Sequence, residues 1–322
     1  MAGVSGGELA AGVQLAGGLG FIAVGYNNES FLIEQLEHAV LQLELSQPSL
    51  PNPQRSLPIG IGFITWKIQE SVFDLALNAN PKALWFSFGN YNSYLSKARH
   101  FNPNIKIFIQ VDNVQEALIA AKDGADVIIA QGLEAGGHGP KEGLSTFVLI
   151  SNILREFENI KNPPLVIAAG GIVDWRGLSG ALAIGATGVV LGTALTVANE
   201  SLLNPKAKDL IVKADSDSTL STGVVDQLRG IDWDLNRFGA RVLKNQVTTG
   251  EIKINKKDYE SARKEGNYNI LGIFAGMGVG LVKERKSARE IIDKIVKDYY
   301  YLHLQHRSRQ QWIPVPSTHS KL

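Results

Sequence analysis

The sequence predicts an α/β protein of the (β/α)8-barrel type, with its first strand missing at the N-terminus and a helical lid inserted late in the chain. Three observations predict it. Short apolar runs rich in β-branched and aromatic residues alternate with helical stretches at a spacing of roughly 30 residues, the βα rhythm of a parallel barrel. Several of these runs end at glycine, so that strands open into glycine-tipped loops. The length, 322 residues, suits one such barrel with an added piece.

Taken in order, Ser5-Gly6-Gly7-Glu8 reads as a capping box for a first helix, which Leu9, Ala10, Val13 and Leu15 continue and Gly17-Gly18 end. A strand at 19–24 follows, then an amphipathic helix at 29–45 that Pro48, Pro51 and Pro53 break. Strands at 58–65, 83–88 and 106–111 alternate with helices at about 70–77, 91–99 and 114–121. The run at 126–130 is the fifth strand, and a helix at 145–157 precedes the sixth, 165–169. Asp174 has the chemistry of an N-cap for the next helix, and 188–191 is the seventh strand. A closed barrel of this kind needs eight. The missing strand would precede Ser5, where only Met1 to Val4 stand, so the sequence predicts either an absent first strand or an unusual closure. After Thr193 the rhythm stops. The division is a barrel at 1–198, an inserted helical lid at 199–272, a closing loop and last helix at 273–305, and an extended tail at 306–322. The last helix opens with a second capping box, Ser287-Ala288-Arg289-Glu290.

Composition narrows the function. The formal net charge of +1 gives no reason for nucleic acid or an anionic membrane as partner. No cysteine is present, which removes disulfides, thiolate nucleophiles and cysteine-held metals, and no metal site is expected. Neither a transmembrane span nor a basic signal-peptide flank is visible, and a soluble intracellular protein is predicted. The final residues, Ser320-Lys321-Leu322, form a peroxisomal address, so an import receptor is an expected partner and the peroxisome the expected location.

The chemistry gathers at residues 131–140, Gln-Gly-Leu-Glu-Ala-Gly-Gly-His-Gly-Pro, directly after the fifth strand. Glycines let backbone amides approach a ligand closely, and His138 among them can serve as acid, base or donor. Glu134 could orient it or stand solvated. Trp175 and Trp233 read as packing residues. Two further loops, 168–172 and 191–193, follow adjacent strands at the place where barrels commonly bind phosphate. Bare amides at helix N-termini there would suit a dianion, with the Thr193 hydroxyl as an added donor.

The stretches QGLEAGGHG, PLVIAAGGIVDWRGLSGALAIGATGVVLGTAL and ANES together resemble the nitronate monooxygenases, formerly 2-nitropropane dioxygenases. The opening MAGVSGGELAAGVQLAGGLGF is similar to that family's Ala-Pro-Met-Ala-Gly start, which would place Met1 where the family's first strand ends. The resemblance implies an FMN-binding barrel. Met1, Gln131 and Gly136 would then lie at the flavin. Gly170, Gly171, Val190, Leu191, Gly192 and Thr193 would hold the FMN phosphate, and His138 would be the catalytic histidine. Gly62 and Met277 depart from residues common in the family. The implied reaction is oxidation of an alkyl nitronate, followed by reaction of the reduced flavin with dioxygen. His138 would steady the nitro group, or act as base toward a neutral nitroalkane. Two other readings stay open: a flavin-dependent enoyl-acyl-carrier-protein reductase, which shares the Glu-Ala-Gly-Gly-His loop, and a truncated barrel impaired in flavin binding. The oligomeric state and the physiological nitronate are not readable.

Overall fold

The computed structural model describes residues 1–46 and 57–309, with side chains to Tyr301. Pro48, Pro51, Pro53 and the terminal Ser320-Lys321-Leu322 lie outside the described residues. Helix α1 (Gly7–Leu15) leads to β1 (Phe21–Gly25), α2 (Glu29–Ser46), β2 (Leu57–Ile64), α3 (Glu70–Asn78), β3 (Pro81–Ser87) and α4 (Asn92–Phe101). Next come β4 (Lys106–Val111), α5 (Val114–Lys122), β5 (Val127–Gln131), β6 (Gly137–Pro140), α6 (Thr146–Phe157), β7 (Leu165–Ala169), α7 (Trp175–Ala183) and β8 (Gly188–Val190). The single turn α8 (Thr193–Thr196) precedes α9 (Pro205–Lys213), β9 (Thr219–Thr222), α10 (Val224–Arg229), β10 (Phe238–Leu243), α11 (Lys256–Glu265) and α12 (Ala288–Arg309).

Among the described residues, seven parallel strands form one curled sheet in the order β1-β2-β3-β4-β5-β7-β8. Side chains alternate across each strand and sort into two layers. Phe21, Trp85, Phe108, Val127, Ile129 and Ala169 form the inner layer. Ile22, Ile61, Phe86, Ile109, Ile128 and Ala168 point outward and pack under the helices with Phe73, Leu149 and Ile153. The Phe21 ring meets Trp85 and Phe108 edge-on at centroid distances of 5.3 and 5.4 Å, so aromatic rings fill the barrel interior. A Cβ at Gly60 would run into the Phe21 ring, which is why only glycine fits there.

The seven strands match the number read from the sequence, and the first residues explain how the open side of β1 is covered. Ala23 N donates to Ser5 O at 2.9 Å and Ser5 Oγ donates to Phe21 O at 2.6 Å, on the side of β1 opposite β2. Leu202 N donates to Val4 O at 2.9 Å. The turn at 1–5 thus lies where an eighth strand would pair, and it is tied to the segment after α8. Ser5 does not cap α1, because its hydroxyl is spent on Phe21. Instead, buried Gln35 of α2 reaches over, and its Oε1 accepts from Gly7 N at 2.9 Å. The second capping box forms as read: Ser287 Oγ donates to Glu290 Oε2 at 2.7 Å and accepts from Glu290 N at 3.2 Å.

The inserted segment is not wholly helical. β10 pairs antiparallel with both β9 and β6, which makes a three-stranded sheet. Residues 137–140, read as loop, are therefore a strand, with His138 opposite Ala240. The insertion is pinned to the loop after β5 by a β-ladder. No helix among the described residues is long and apolar enough to cross a membrane.

Candidate active site

The C-terminal ends of the seven strands surround the barrel mouth, and strand alternation dictates which side chains line it. Ser87, Gln110 and Gln131 continue the inward-facing rows of Trp85, Phe108 and Ile129, and each is half-buried. Ser87 Oγ donates to Gln110 Oε1 at 3.1 Å. Gln131 Nε2 donates to His138 O at 2.8 Å and so holds the backbone of β6 over the mouth. Met1 lies beside this rim, its Cε 3.8 Å from where a Gly62 Cβ would stand. Ser87 and Gln110 were missed in the sequence, although their alternation with buried aromatics was a usable signal.

His138 is enclosed by the insertion. Its Nε2 stands 3.0 and 2.9 Å from the two carboxylate oxygens of Asp226, which is fully buried on α10. The imidazole stacks on the Trp233 indole at 3.8 Å between centroids and 8° between planes, and Phe274 flanks it at 5.7 Å. Trp233 Nε1 donates to the Tyr26 hydroxyl, just beyond β1, at 2.7 Å. Burial pushes the Tyr26 phenol up to about 12, so it stays protonated at any physiological pH. Trp66, Phe88 and Phe238 complete an aromatic wall around Trp233, at centroid distances of 5.0–5.4 Å. Trp233 is thus more than a packing residue, since it sets the plane of the histidine ring. Asp226 and Trp233 lie 88 and 95 residues from His138 in sequence, and no local pattern tied either of them to it.

Glu134 does not orient His138. Its Oε2 accepts from Thr146 N and Thr146 Oγ1 at 2.8 and 2.9 Å, at the start of α6. Gly136 lies against another loop: a Cβ there would come within 2.5 Å of Gly276 N and 2.6 Å of Ala275 C. That second loop, 275–280, crosses the two candidate phosphate loops. Gly276 N donates to Thr193 Oγ1 at 2.9 Å, and a Gly278 Cβ would meet Gly171 O at 2.9 Å.

The helix N-termini beside those loops offer a phosphate less than their spacing implies. Asp174 takes the second and third amides of α7, those of Arg176 and Gly177, at 2.9 and 3.3 Å. Two of the amides at the α7 N-terminus are therefore already taken, and α8 is only one turn long. What remains is the loop backbone itself. Gly170 and Gly171 take φ of +118° and +72°, which glycine adopts without strain. Gly192 stands between Val190-Leu191 and Thr193, and a Cβ there would meet nothing within 4 Å, so the backbone at this point borders open space. This cradle, beside a mouth rimmed with amide and hydroxyl groups, is compatible with FMN: Gly170, Gly171, Val190, Leu191, Gly192 and Thr193 would hold its phosphate. A cleft of about 670 Å³ lies to one side, where Arg237 pairs with Asp112 and Glu116. Neither His138 nor the candidate phosphate loops line it. No group of three potential metal ligands occurs among the described residues.

Fold and site together define a flavin-binding barrel oxidoreductase. The family model for nitronate monooxygenases matches residues 58–298. The nitronate monooxygenase of Neurospora crassa is 30% identical over 331 residues, covering 91% of this chain and 85% of that protein. The nitronate monooxygenase npaC of Metarhizium robertsii is 29% identical, covering 90% and 86%. Among solved structures, FabK from Thermotoga maritima is similar with a TM-score of 0.76 and 28% identity, over 96% of this chain and 93% of that one. Nitroalkane oxidase from Streptomyces ansochromogenes shares the fold, with a TM-score of 0.74, 21% identity and 94% of each chain covered. This chain belongs to the nitronate monooxygenase family. The family is one of FMN-dependent oxidoreductases.

Proposed function

We propose that this chain oxidises alkyl nitronates and their parent nitroalkanes with FMN and dioxygen, and that His138 meets the nitro group or its α-carbon. Family membership supports nitronate oxidation in general. The observation that carries the finer reading is the enclosure of His138 over the barrel mouth, with Nε2 on Asp226 and one ring face on Trp233. Nε2 is engaged, so Nδ1 is the nitrogen left for substrate. A protonated Nδ1 donates to a nitro oxygen, and an unprotonated one takes the proton of a neutral nitroalkane. The aromatic wall of Tyr26, Trp66, Phe88, Trp233 and Phe238 offers apolar surface to the alkyl group. Bound FMN supplies electron acceptance from the nitronate and electron delivery to dioxygen.

The test is anaerobic bleaching of the flavin absorbance in the purified enzyme. An alkyl nitronate is expected to bleach it rapidly and NADH slowly; the reverse order would overturn the reading. The control matters because a flavin-dependent enoyl-acyl-carrier-protein reductase, which shares the Glu-Ala-Gly-Gly-His loop at 134–138, is the second reading.

Peroxisomal import through Ser320-Lys321-Leu322 is part of the same proposal, since flavin oxidation with dioxygen tends to release peroxide. A fluorescent protein fused ahead of Met1 is expected to give puncta over a peroxisomal marker, lost when Leu322 is removed. Diffuse fluorescence from both fusions would reject it.

A further inference from the structure

We propose that Asp226 is the positioning residue for His138, and that its charge is needed to remove a proton from a neutral nitroalkane but not to oxidise a nitronate already formed. The inference rests on the reading of His138 as the group at the substrate. Three observations carry it. Both Asp226 oxygens face Nε2, at 3.0 and 2.9 Å, and the only hydrogen bond to that carboxylate among the described residues comes from His138. The carboxylate is fully buried and the imidazole side chain is 10% exposed, so water does little to screen the pair. Trp233 lies flat against the ring, and its own Nε1 is fixed on the Tyr26 hydroxyl, so a flip of the imidazole would have to displace the indole.

The chemistry follows from what each group can donate. A carboxylate only accepts, so Nε2 carries the hydrogen and Nδ1 the lone pair. With a neutral nitroalkane, the α C–H bond breaks and its electron pair moves into the nitro group, giving the nitronate. The proton forms a new N–H bond at Nδ1, and His138 becomes an imidazolium. Asp226 balances that positive charge where solvent cannot. With a nitronate as substrate no proton is taken up, and the same carboxylate has only an orienting part. Both Asp226 and Trp233 belong to the insertion, while His138 lies on β6, in the segment that follows barrel strand β5. The base is therefore complete only where β10 has docked the insertion on β6.

The decisive experiment uses the flavin-loaded full chain with paired substrates, a nitroalkane and its preformed nitronate. Asp226→Asn keeps the shape and removes the charge. It is expected to lower kcat/KM for the nitroalkane by about a hundredfold or more, the scale of an acid–base contribution, and for the nitronate by less than about tenfold. An α-deuterated nitroalkane should show a larger isotope effect on kcat/KM in the variant than in the wild type, because proton removal becomes more limiting. Asp226→Glu, which restores the anion, is expected to recover most of the nitroalkane rate. Equal losses on both substrates, no loss on either, or no recovery with glutamate would overturn the proposal. A merely structural role for Asp226 would impair both substrates alike. His138→Ala separates the two readings. If it spares nitroalkane turnover, the reading of His138 fails. If it abolishes that turnover while Asp226→Asn spares it, only the role of Asp226 fails.

Discussion

Aspartate in place of Gly192 is expected to give protein that folds but purifies without flavin. Gly192 has φ −94° and ψ −85°, outside the left-handed region, and a Cβ built there meets nothing within 4 Å. The backbone and its surroundings thus tolerate a side chain, and loss of the cofactor would report charge rather than misfolding. The new carboxylate would sit beside the phosphate dianion of FMN. Like charges about 4 Å apart repel by about 4 kcal/mol at the effective dielectric of a partly exposed site, which alone costs about a thousandfold in affinity. Gly192→Asn, the same size without the charge, should keep most of its flavin. The measurement is the ratio of flavin to protein absorbance after gel filtration, with a thermal melt of each variant as the folding check. Full flavin occupancy in the aspartate variant would place the phosphate elsewhere.

The elements of the barrel were legible because each is a local pattern. β-Branched and aromatic runs gave all seven parallel strands to within a few residues, and Asp174, Ser287 and Glu290 cap their helices as their spacing implies. What was lost depends on distant pairings. Ser5 has the spacing of a capping box, yet Phe21 O, 16 residues on, takes its hydroxyl. Glu134 sits four residues from His138, yet Thr146 claims its carboxylate. Residues 238–243, Phe-Gly-Ala-Arg-Val-Leu, carry too short an alternation to be told from a helix fragment until β6 and β9 are known to flank them. Asp226 in Val-Val-Asp-Gln-Leu reads as an ordinary helical carboxylate, and only the fold shows that its place is buried beneath a histidine. The histidine proposed to carry the chemistry was visible in its own loop; its partnership with Asp226 and Trp233 was not.

Replacing His138 with alanine is expected to lower kcat/KM for a neutral nitroalkane by about a hundredfold or more, the usual scale for loss of an acid–base group. Flavin should be retained, since His138 is not among the residues fitted to the phosphate. The same variant is expected to melt earlier, for a reason independent of catalysis. Without the imidazole, the Asp226 carboxylate is buried with no hydrogen bond among the described residues, and Trp233 loses the ring it stacks on. Breaking a buried pair by removing one partner typically costs about 3–5 kcal/mol, most of it from the charge left behind. Removing that charge should therefore recover part of the loss: His138→Ala with Asp226→Asn is expected to melt above His138→Ala alone, while remaining as inactive. Thermal melts of the single and double variants, read beside nitroalkane turnover, separate the two effects. If His138→Ala turns over the nitroalkane normally, His138 has no catalytic part. If the second substitution lowers the melting temperature further, the cost of an unpaired Asp226 has been misjudged, and the lost stacking on Trp233 must account for the instability.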